Sequence, residues 1–322
     1  MKILAPLKNS LEVSALLKAG ADEFFCGVTP PGWEARYGRA WANRRAPAAA
    51  GVPDAEDFAR IVALSEGRPV YVTLNAPYYP AGAVRMLAQF AAELLEMGAA
   101  GLIVADMDLL LALLEAGHGA QLHLSSLATC INREAARFYR ELGVARIVLP
   151  RHLTLTEIEE LLVEGVEFEA FVLNDGCVFE EGLCATTHAA GTFCGLDGEG
   201  TQGVSPRTLE RYAFWKWTLN HCGCRTGNGY PMGPCGLCAL PRLLRAGIAS
   251  LKVVGREASL PRKEAAVRIA AMALRLAQKG AAPEKIRGQV MELRGQPELC
   301  LERHLCYYPE LWPRPQMEAP AC

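Results

Sequence analysis

Short β-type runs alternate with helical stretches eight times along this chain, and each helical stretch closes on a glycine. The β-type runs are 2–7, 23–28, 70–75, 101–105, 121–125, 146–150, 167–173 and 250–254. The helical stretches are 10–19, 55–66, 82–97, 107–116, 133–142, 156–164, 237–246 and 261–279. Gly20, Gly67, Gly98, Gly117, Gly143, Gly165, Gly247 and Gly280 follow them in turn. A glycine past the last turn takes the left-handed conformation that ends a helix. Asp54 and Asn132 stand where they cap helix starts, and Thr156-x-x-Glu159 reads as a capping box. Most of the β-type runs are continuously apolar rather than alternating, as expected of strands buried on both faces.

Eight βα units predict a (β/α)₈ barrel of the TIM type over residues 1–280. An open doubly wound sheet is the alternative. The remainder, 281–322, is rich in proline and is expected to pack on the barrel. A hydrophobic fraction of 51% supplies an ample core, and no interdomain linker interrupts the pattern.

A barrel directs attention to the C-terminal ends of its strands, where catalytic residues collect in the βα loops. Two of those loops are long: 29–53, and an insertion at 174–236. Asn9, Asn75, Asp106, Ser125, Ser126, Arg151, Asn174 and Arg256 stand at strand ends. Each alone is commonly a cap or a solvated loop residue. Together they would converge on one face.

The second long loop holds the chain's densest chemistry. Cys177, Cys184, Cys194, Cys222, Cys224, Cys235 and Cys238 make seven of the twelve cysteines. Thiolates are soft metal ligands, so the grouping points to iron–sulfur or zinc. Cys222-x-Cys224 with Cys235-x-x-Cys238 has the close spacing of a zinc site. Cys177, Cys184 and Cys194 are spaced too widely for a zinc ribbon, whereas a cluster tolerates ligands gathered by the fold. Cys235-x-x-Cys238 at a helix start also fits a dithiol redox pair, although the thioredoxin context is missing. Cys26 and Cys130 are expected to be ordinary buried thiols. Cys300, Cys306, Cys322 and His304 in the tail are not expected to bind metal. His188 and His221 read as solvated loop histidines.

Other signals are weaker. Arg36-Tyr37-Gly38-Arg39-Ala40-Trp41-Ala42-Asn43-Arg44-Arg45 mixes arginines with aromatics, as a loop that grips anions or stacks on bases would. Gly198-x-Gly200-x-x-Gly203 neither follows a strand nor opens a helix, so it reads as a loop rather than a dinucleotide fingerprint. His-Glu-x-x-His and Gly-x-Ser-x-Gly are absent. A net charge of −2 gives no global footprint for nucleic acid. The start runs directly into an amphipathic pattern, and Asp106 and Asp108 interrupt the most apolar stretch. A cytoplasmic chain with no membrane span is therefore expected.

Taken in order, several segments resemble the family catalogued as peptidase U32. They are Lys2-Ile3-Leu4-Ala5-Pro6-Leu7-Lys8-Asn9, Gly20-Ala21-Asp22-Glu23-Phe24-Phe25-Cys26-Gly27, Thr73-Leu74-Asn75, His123-Leu124-Ser125-Ser126 and Ile147-Val148-Leu149-Pro150-Arg151. The Cys177/Cys184 spacing and Ser250-Leu251-Lys252-x2-Gly255-Arg256 complete the set. The resemblance covers roughly residues 1–280. It implies a [4Fe-4S] cluster on four cysteines, here Cys177, Cys184, Cys194 and Cys235, with Cys222 or Cys224 as substitutes for Cys194. Zinc is the alternative metal.

The resemblance further implies O₂-independent hydroxylation of an RNA base or of an aromatic quinone precursor, with prephenate-derived chemistry supplying the oxygen. Arg151 and Arg256 would hold carboxylates, while Asn75 and Ser125 would orient the substrate. A homologous partner subunit is implied by the branch that works as a pair. The short tail favours the small-molecule branch over RNA. The alternatives are a peptidase, as the family name says, and a non-catalytic metal protein serving a partner. Arg151-His152 in place of Arg-Glu, Leu173 in place of a histidine, and the extra Cys222, Cys224 and Cys238 depart from the family pattern.

Overall fold

A computed structural model describes residues 1–38, 42–43, 50–80, 82–174, 207, 233–295, 297–301 and 306–312. Eight parallel strands pair in chain order and close into a barrel, with β8 returning to β1. They are β1 (Lys2–Pro6), β2 (Glu23–Gly27), β3 (Val70–Leu74), β4 (Gly101–Val104), β5 (Leu122–Leu124), β6 (Arg146–Val148), β7 (Glu167–Leu173) and β8 (Ser250–Val253). The expected barrel is therefore the observed one.

The helices are α1 (Val13–Ala19), α2 (Trp33–Tyr37), α3 (Ala55–Leu64), α4 (Ala83–Glu96), α5 (Met107–Glu115), α6 (Arg133–Glu141), α7 (Leu155–Leu161), α8 (Leu240–Ala246), α9 (Leu260–Gln278), α10 (Pro283–Arg294) and α11 (Glu298–Leu301). Leu16, Phe58, Leu87, Leu94, Leu109, Ile158 and Leu243 bury the inner faces of these helices against the sheet. The eight closing glycines all have φ between +75° and +107°. Asp54 and Asn132 accept from the backbone N–H of Asp57 (2.7 Å) and Ala135 (2.9 Å), as caps should.

Two expectations need correction. The capping box is Thr154 with Glu157, two residues before the Thr156/Glu159 pair. Both spacings fit the motif, but Leu155 is the first buried residue of α7 and fixes the start. Glu159 instead binds Arg242 of α8, at 2.6 Å and 2.7 Å. The second correction concerns the barrel interior, which is far from wholly apolar. The strands are buried on both faces as expected, but Glu23, Tyr71, His123, Arg146, Glu169, Ser250 and Lys252 are buried among their apolar residues.

These residues stand at or near the N-terminal strand ends and form a floor. Arg146 grips both oxygens of Glu23, at 2.9 Å and 3.1 Å. It also donates to Glu167 at 2.6 Å and to Glu169 at 3.4 Å. Ser250 Oγ and Lys2 Nζ donate to Glu23 at 2.8 Å and 3.1 Å. Lys252 Nζ lies 2.6 Å from Glu169. Burial raises the Glu23 carboxyl, but the bonds and charge of Arg146 outweigh it and hold the group at about 2.

The C-terminal part is more ordered than its prolines suggest. Pro283 occupies the first turn of α10, where its missing N–H costs nothing. After α11, Tyr307 N donates to Cys235 O (3.1 Å) and Tyr308 Oη to Phe171 O (3.3 Å), tying the tail to the end of β7. Among the described residues, no helix is long and apolar enough to cross a membrane.

Candidate functional site

The C-terminal mouth holds a cavity of about 50 Å³. Asn75, Ser125, Arg151 and Arg256, the four residues singled out from the sequence, all line it. Ser126 lines it too. By contrast Asp106 caps α5 through Leu109 N (2.8 Å), Asn9 precedes the first helical turn, and Asn174 is buried with φ +66° at the end of β7. Convergence thus holds for five of the eight strand-end residues.

Each side chain has an identifiable support. Arg256 is buried, and its Nη1 donates to Thr73 Oγ1 at 2.8 Å. That hydroxyl lies 2.5 Å from Asn43 Oδ1, and Asn43 Nδ2 donates to Val28 O at 3.2 Å. The guanidinium passes over β2 only because residue 27 is glycine: a Cβ there would sit 2.1 Å from Arg256 Nη1. Arg151 lies over the Phe171 ring, 3.7 Å from its centroid. Asn75 Nδ2 donates to Ser125 Oγ at 3.4 Å, and Ser125 Oγ also accepts from Leu127 N at 3.3 Å. Lys252 completes the cationic lining, 4.2 Å from the Phe25 ring centroid. Burial lowers the Lys252 pKa, against the pull of Glu169.

This arrangement can accept an anion beside a flat apolar wall. Two guanidinium groups offer bidentate donation to a carboxylate or phosphate. Phe25, Ile103, Val148 and Phe171 supply the apolar side. Sequence reasoning missed Gly27, Asn43, Thr73, Phe171 and Lys252. Lys252 and Thr73 carried a signal, being polar residues at period two inside barrel strands.

Of the cysteines expected to bind a cluster, only Cys235 is among the described residues; Cys177, Cys184, Cys194, Cys222 and Cys224 lie outside them, as do His188, His221, His304, Arg39, Trp41, Arg44 and Arg45. Cys26 and Cys130 are buried free thiols, each pushed up to about 12 by burial. Cys235 sits beside Leu173 at the end of β7 and lines a second, smaller cavity of about 20 Å³. Its companions there are Cys238, Cys300 and Cys306. The two tail cysteines, set aside on sequence grounds, are thus brought to Cys235. Burial raises the Cys235 and Cys238 thiols, and lifts Cys306 to about 12. Among the described residues, no three Cys, His, Asp or Glu side chains already stand where they could hold one ion.

The family model described as Peptidase family U32 matches residues 8–308. The tRNA hydroxylation protein P of Escherichia coli K12 is 31% identical over 120 residues, covering 37% of this chain and 26% of that protein. The tRNA hydroxylation protein P1 of Bacillus subtilis 168 is 25% identical over 188 residues, covering 58% and 42%. The 23S rRNA 5-hydroxycytidine C2501 synthase of E. coli K12 is 26% identical over 190 residues, covering 59% and 27%. The matched stretches span less than half the length of each relative.

Proposed function

The chain belongs to peptidase family U32, and from that premise we propose that it serves the O₂-independent hydroxylation of a base in RNA. The observation that carries this reading is the mouth cavity, where Arg151 and Arg256 flank an apolar wall. The names of three relatives add support, since each refers to hydroxylation or a hydroxylated base in tRNA or rRNA. They favour an RNA base over a free aromatic quinone precursor.

In this reading Arg151 and Arg256 hold a carboxylate or phosphate of the reacting partners by paired N–H donation. Asn75 and Ser125 orient the base edge, offering an amide and a hydroxyl. Phe171 and Phe25 provide a flat apolar surface for an aromatic ring, which stacks without regard to sequence.

A [4Fe-4S] cluster is part of the proposal, with zinc as the alternative metal. When bound, such a cluster supplies electron transfer, or one open iron if only three cysteines hold it. Cys235 suits a metal as a thiol beside Leu173 at the C-terminal end of β7. Cys177, Cys184 and Cys194 are the further ligands implied by the family. A homologous partner subunit remains part of the proposal.

A peptidase reading fares worse at this site. Ser125 Oγ is met by Asn75 Nδ2 and Leu127 N, both donors, and neither can take its proton.

The test is mass spectrometry of nucleosides from tRNA and rRNA of a strain lacking the gene, grown without O₂. A hydroxylated nucleoside that disappears in the deletion strain and returns with the wild-type gene is the expected result. An unchanged nucleoside profile would remove RNA from the proposal and return the small aromatic substrate.

A further inference from the structure

One side chain of the floor also reaches the mouth. Among the described residues, Lys252 is the member of the floor's charged network that lines the mouth cavity. It stands on β8 opposite Phe171 of β7. Phe25, Ile103, Val148 and Phe171 line the same cavity. Lys252 Nζ lies 4.2 Å from the Phe25 ring centroid, and the residue is 6% exposed. Lys252 lies within its strand, whereas Asn75, Arg151 and Arg256 follow the ends of theirs. The amine is therefore set in an apolar layer beneath the polar groups of the mouth.

Its neighbours make this amine unlike a surface lysine. Glu169 Oε1 lies 2.6 Å from Nζ and is fully buried on the floor side, placed to take a proton from the amine and return it. Burial, and the charges of Arg146 and Arg256, work against a proton on Nζ. A lysine desolvated among apolar side chains and beside other cations is the form that attacks a carbonyl carbon. Arg151 and Arg256 line the cavity with it and offer paired donors to a carboxylate. Glu257 lines it too, so a bound carboxylate needs both guanidinium groups. An amine and two guanidinium groups around one cavity fit one chemical class, a carbonyl that carries a carboxylate beside it.

We propose that Lys252 forms an imine with an α-keto acid held at the mouth by Arg151 and Arg256. The carboxylate half of this ligand rests on the roles given above to the two arginines. Nζ passes a proton to Glu169, and its lone pair forms a bond to the carbonyl carbon as the C=O π bond opens. A second proton moves from nitrogen to that oxygen, giving a carbinolamine. Glu169 then returns its proton, the C–O bond breaks, and the hydroxyl leaves as water. Of the hydrogens on the ammonium nitrogen, two depart in the water and one stays on the iminium, which faces the restored Glu169 carboxylate. Nothing is oxidised or reduced. The iminium withdraws electrons from the neighbouring carbon more strongly than the ketone did, which activates bonds to that carbon. Phe25 and Phe171 suit a ligand whose remaining group is an aromatic ring.

The test is incubation of the purified full chain with phenylpyruvate and cyanoborohydride, which reduces an imine to a stable amine. Intact mass and peptide mapping then locate the adduct. A single adduct on the peptide that carries Lys252 is the expected result. Phenylacetone keeps the ring and the ketone but has a methyl group in place of the carboxylate. It should label Lys252 at least ~10-fold more slowly, because charge-assisted hydrogen bonds are lost. An unlabelled Lys252, or label spread evenly over the surface lysines, would overturn the imine. Equal rates with the two ketones would overturn the α-keto acid as its ligand.

Lys252→Arg keeps a cation beside Glu169 but cannot form the imine, so its labelling should fall to that of the surface lysines. If this variant does not fold, the map of the wild-type chain decides alone. The readout is a covalent adduct formed without RNA, whereas the hydroxylation reading is tested on nucleosides. Failure of either is therefore seen separately from failure of the other.

Discussion

The two ends of the barrel use the same kinds of side chain to opposite purposes. At the floor, Arg146 and Lys252 are matched by Glu23, Glu167 and Glu169, and the contacts among them run from 2.6 Å to 3.4 Å. At the mouth, Arg256 is held by a neutral hydroxyl and Arg151 by an aromatic face. Salt bridges at the floor spend their charge inside the protein. At the mouth, the Thr73 hydroxyl and the Phe171 ring help to position two guanidinium groups that line a cavity together with Lys252 and Glu257. The difference is that between a group that specifies the fold and a group prepared for a ligand.

Breaking the floor should have the largest effect on stability. Arg146→Met leaves Glu23 and Glu169, both 0% exposed, without their shared cation. A loss of about 3–5 kcal/mol in urea unfolding is expected, because removing one partner strands a buried charge. Replacing Glu23 by Gln in the same chain should recover part of that loss. A loss below ~1 kcal/mol would mean that water reaches the floor.

The mouth should respond in the other direction. Arg256→Ala should cut hydroxylation by about 100-fold, equivalent to about 2.7 kcal/mol of activation free energy. Its loss in urea unfolding should be smaller than that of Arg146→Met, which strands two buried carboxylates. Arg256→Lys should not restore activity, since a lysine lacks the planar pair of donors. Gly27→Ala sharpens the comparison without touching a charge. Its methyl group competes with Arg256 Nη1 for the same space. Activity should fall as for Arg256→Ala, and the strain should cost about 1–3 kcal/mol.

Acid should separate the two ends by a smaller effect. Burial and the Arg146 and Lys252 charges push His123 well below 6.5, so the floor holds it neutral. Unfolded chains take up that proton first, so stability falls as pH drops below about 6.5. Glu23 is depressed to about 2. Its contribution is complete above the unfolded value near 4.5 and is lost as pH falls towards 2. Urea midpoints between pH 7 and pH 3 should therefore decline in two stages. Substitution of His123 by Gln should flatten the upper stage, and a midpoint independent of pH would contradict the assignment.

Much of this barrel was legible in the sequence because its signals are local. Gly98 or Gly143 ends a helix through its own backbone, and Asp54 caps one through a hydrogen bond three residues away. Asn75, Ser125, Arg151 and Arg256 were legible as well, since strand ends of a barrel share one face. The floor was not, because Glu23 and Arg146 are 123 residues apart and nothing local couples them. Phe25 and Phe24 also made β2 read as apolar throughout, although Glu23 opens it. The placement of the tail was not legible for a similar reason: nothing local sets Cys306 beside Cys235. Thr156/Glu159 was misread because two overlapping spacings met the same motif, and burial of Leu155 decided between them.

The most direct test of the account is complementation of the deletion strain with Arg151→Ala/Arg256→Ala, reading hydroxylated nucleosides by mass spectrometry beside the thermal unfolding of the purified variant. The account predicts a barrel that melts close to wild type and an RNA pool without the hydroxylated nucleoside. Wild-type hydroxylation by this variant would contradict it, and would mean that the chemistry does not take place at the mouth.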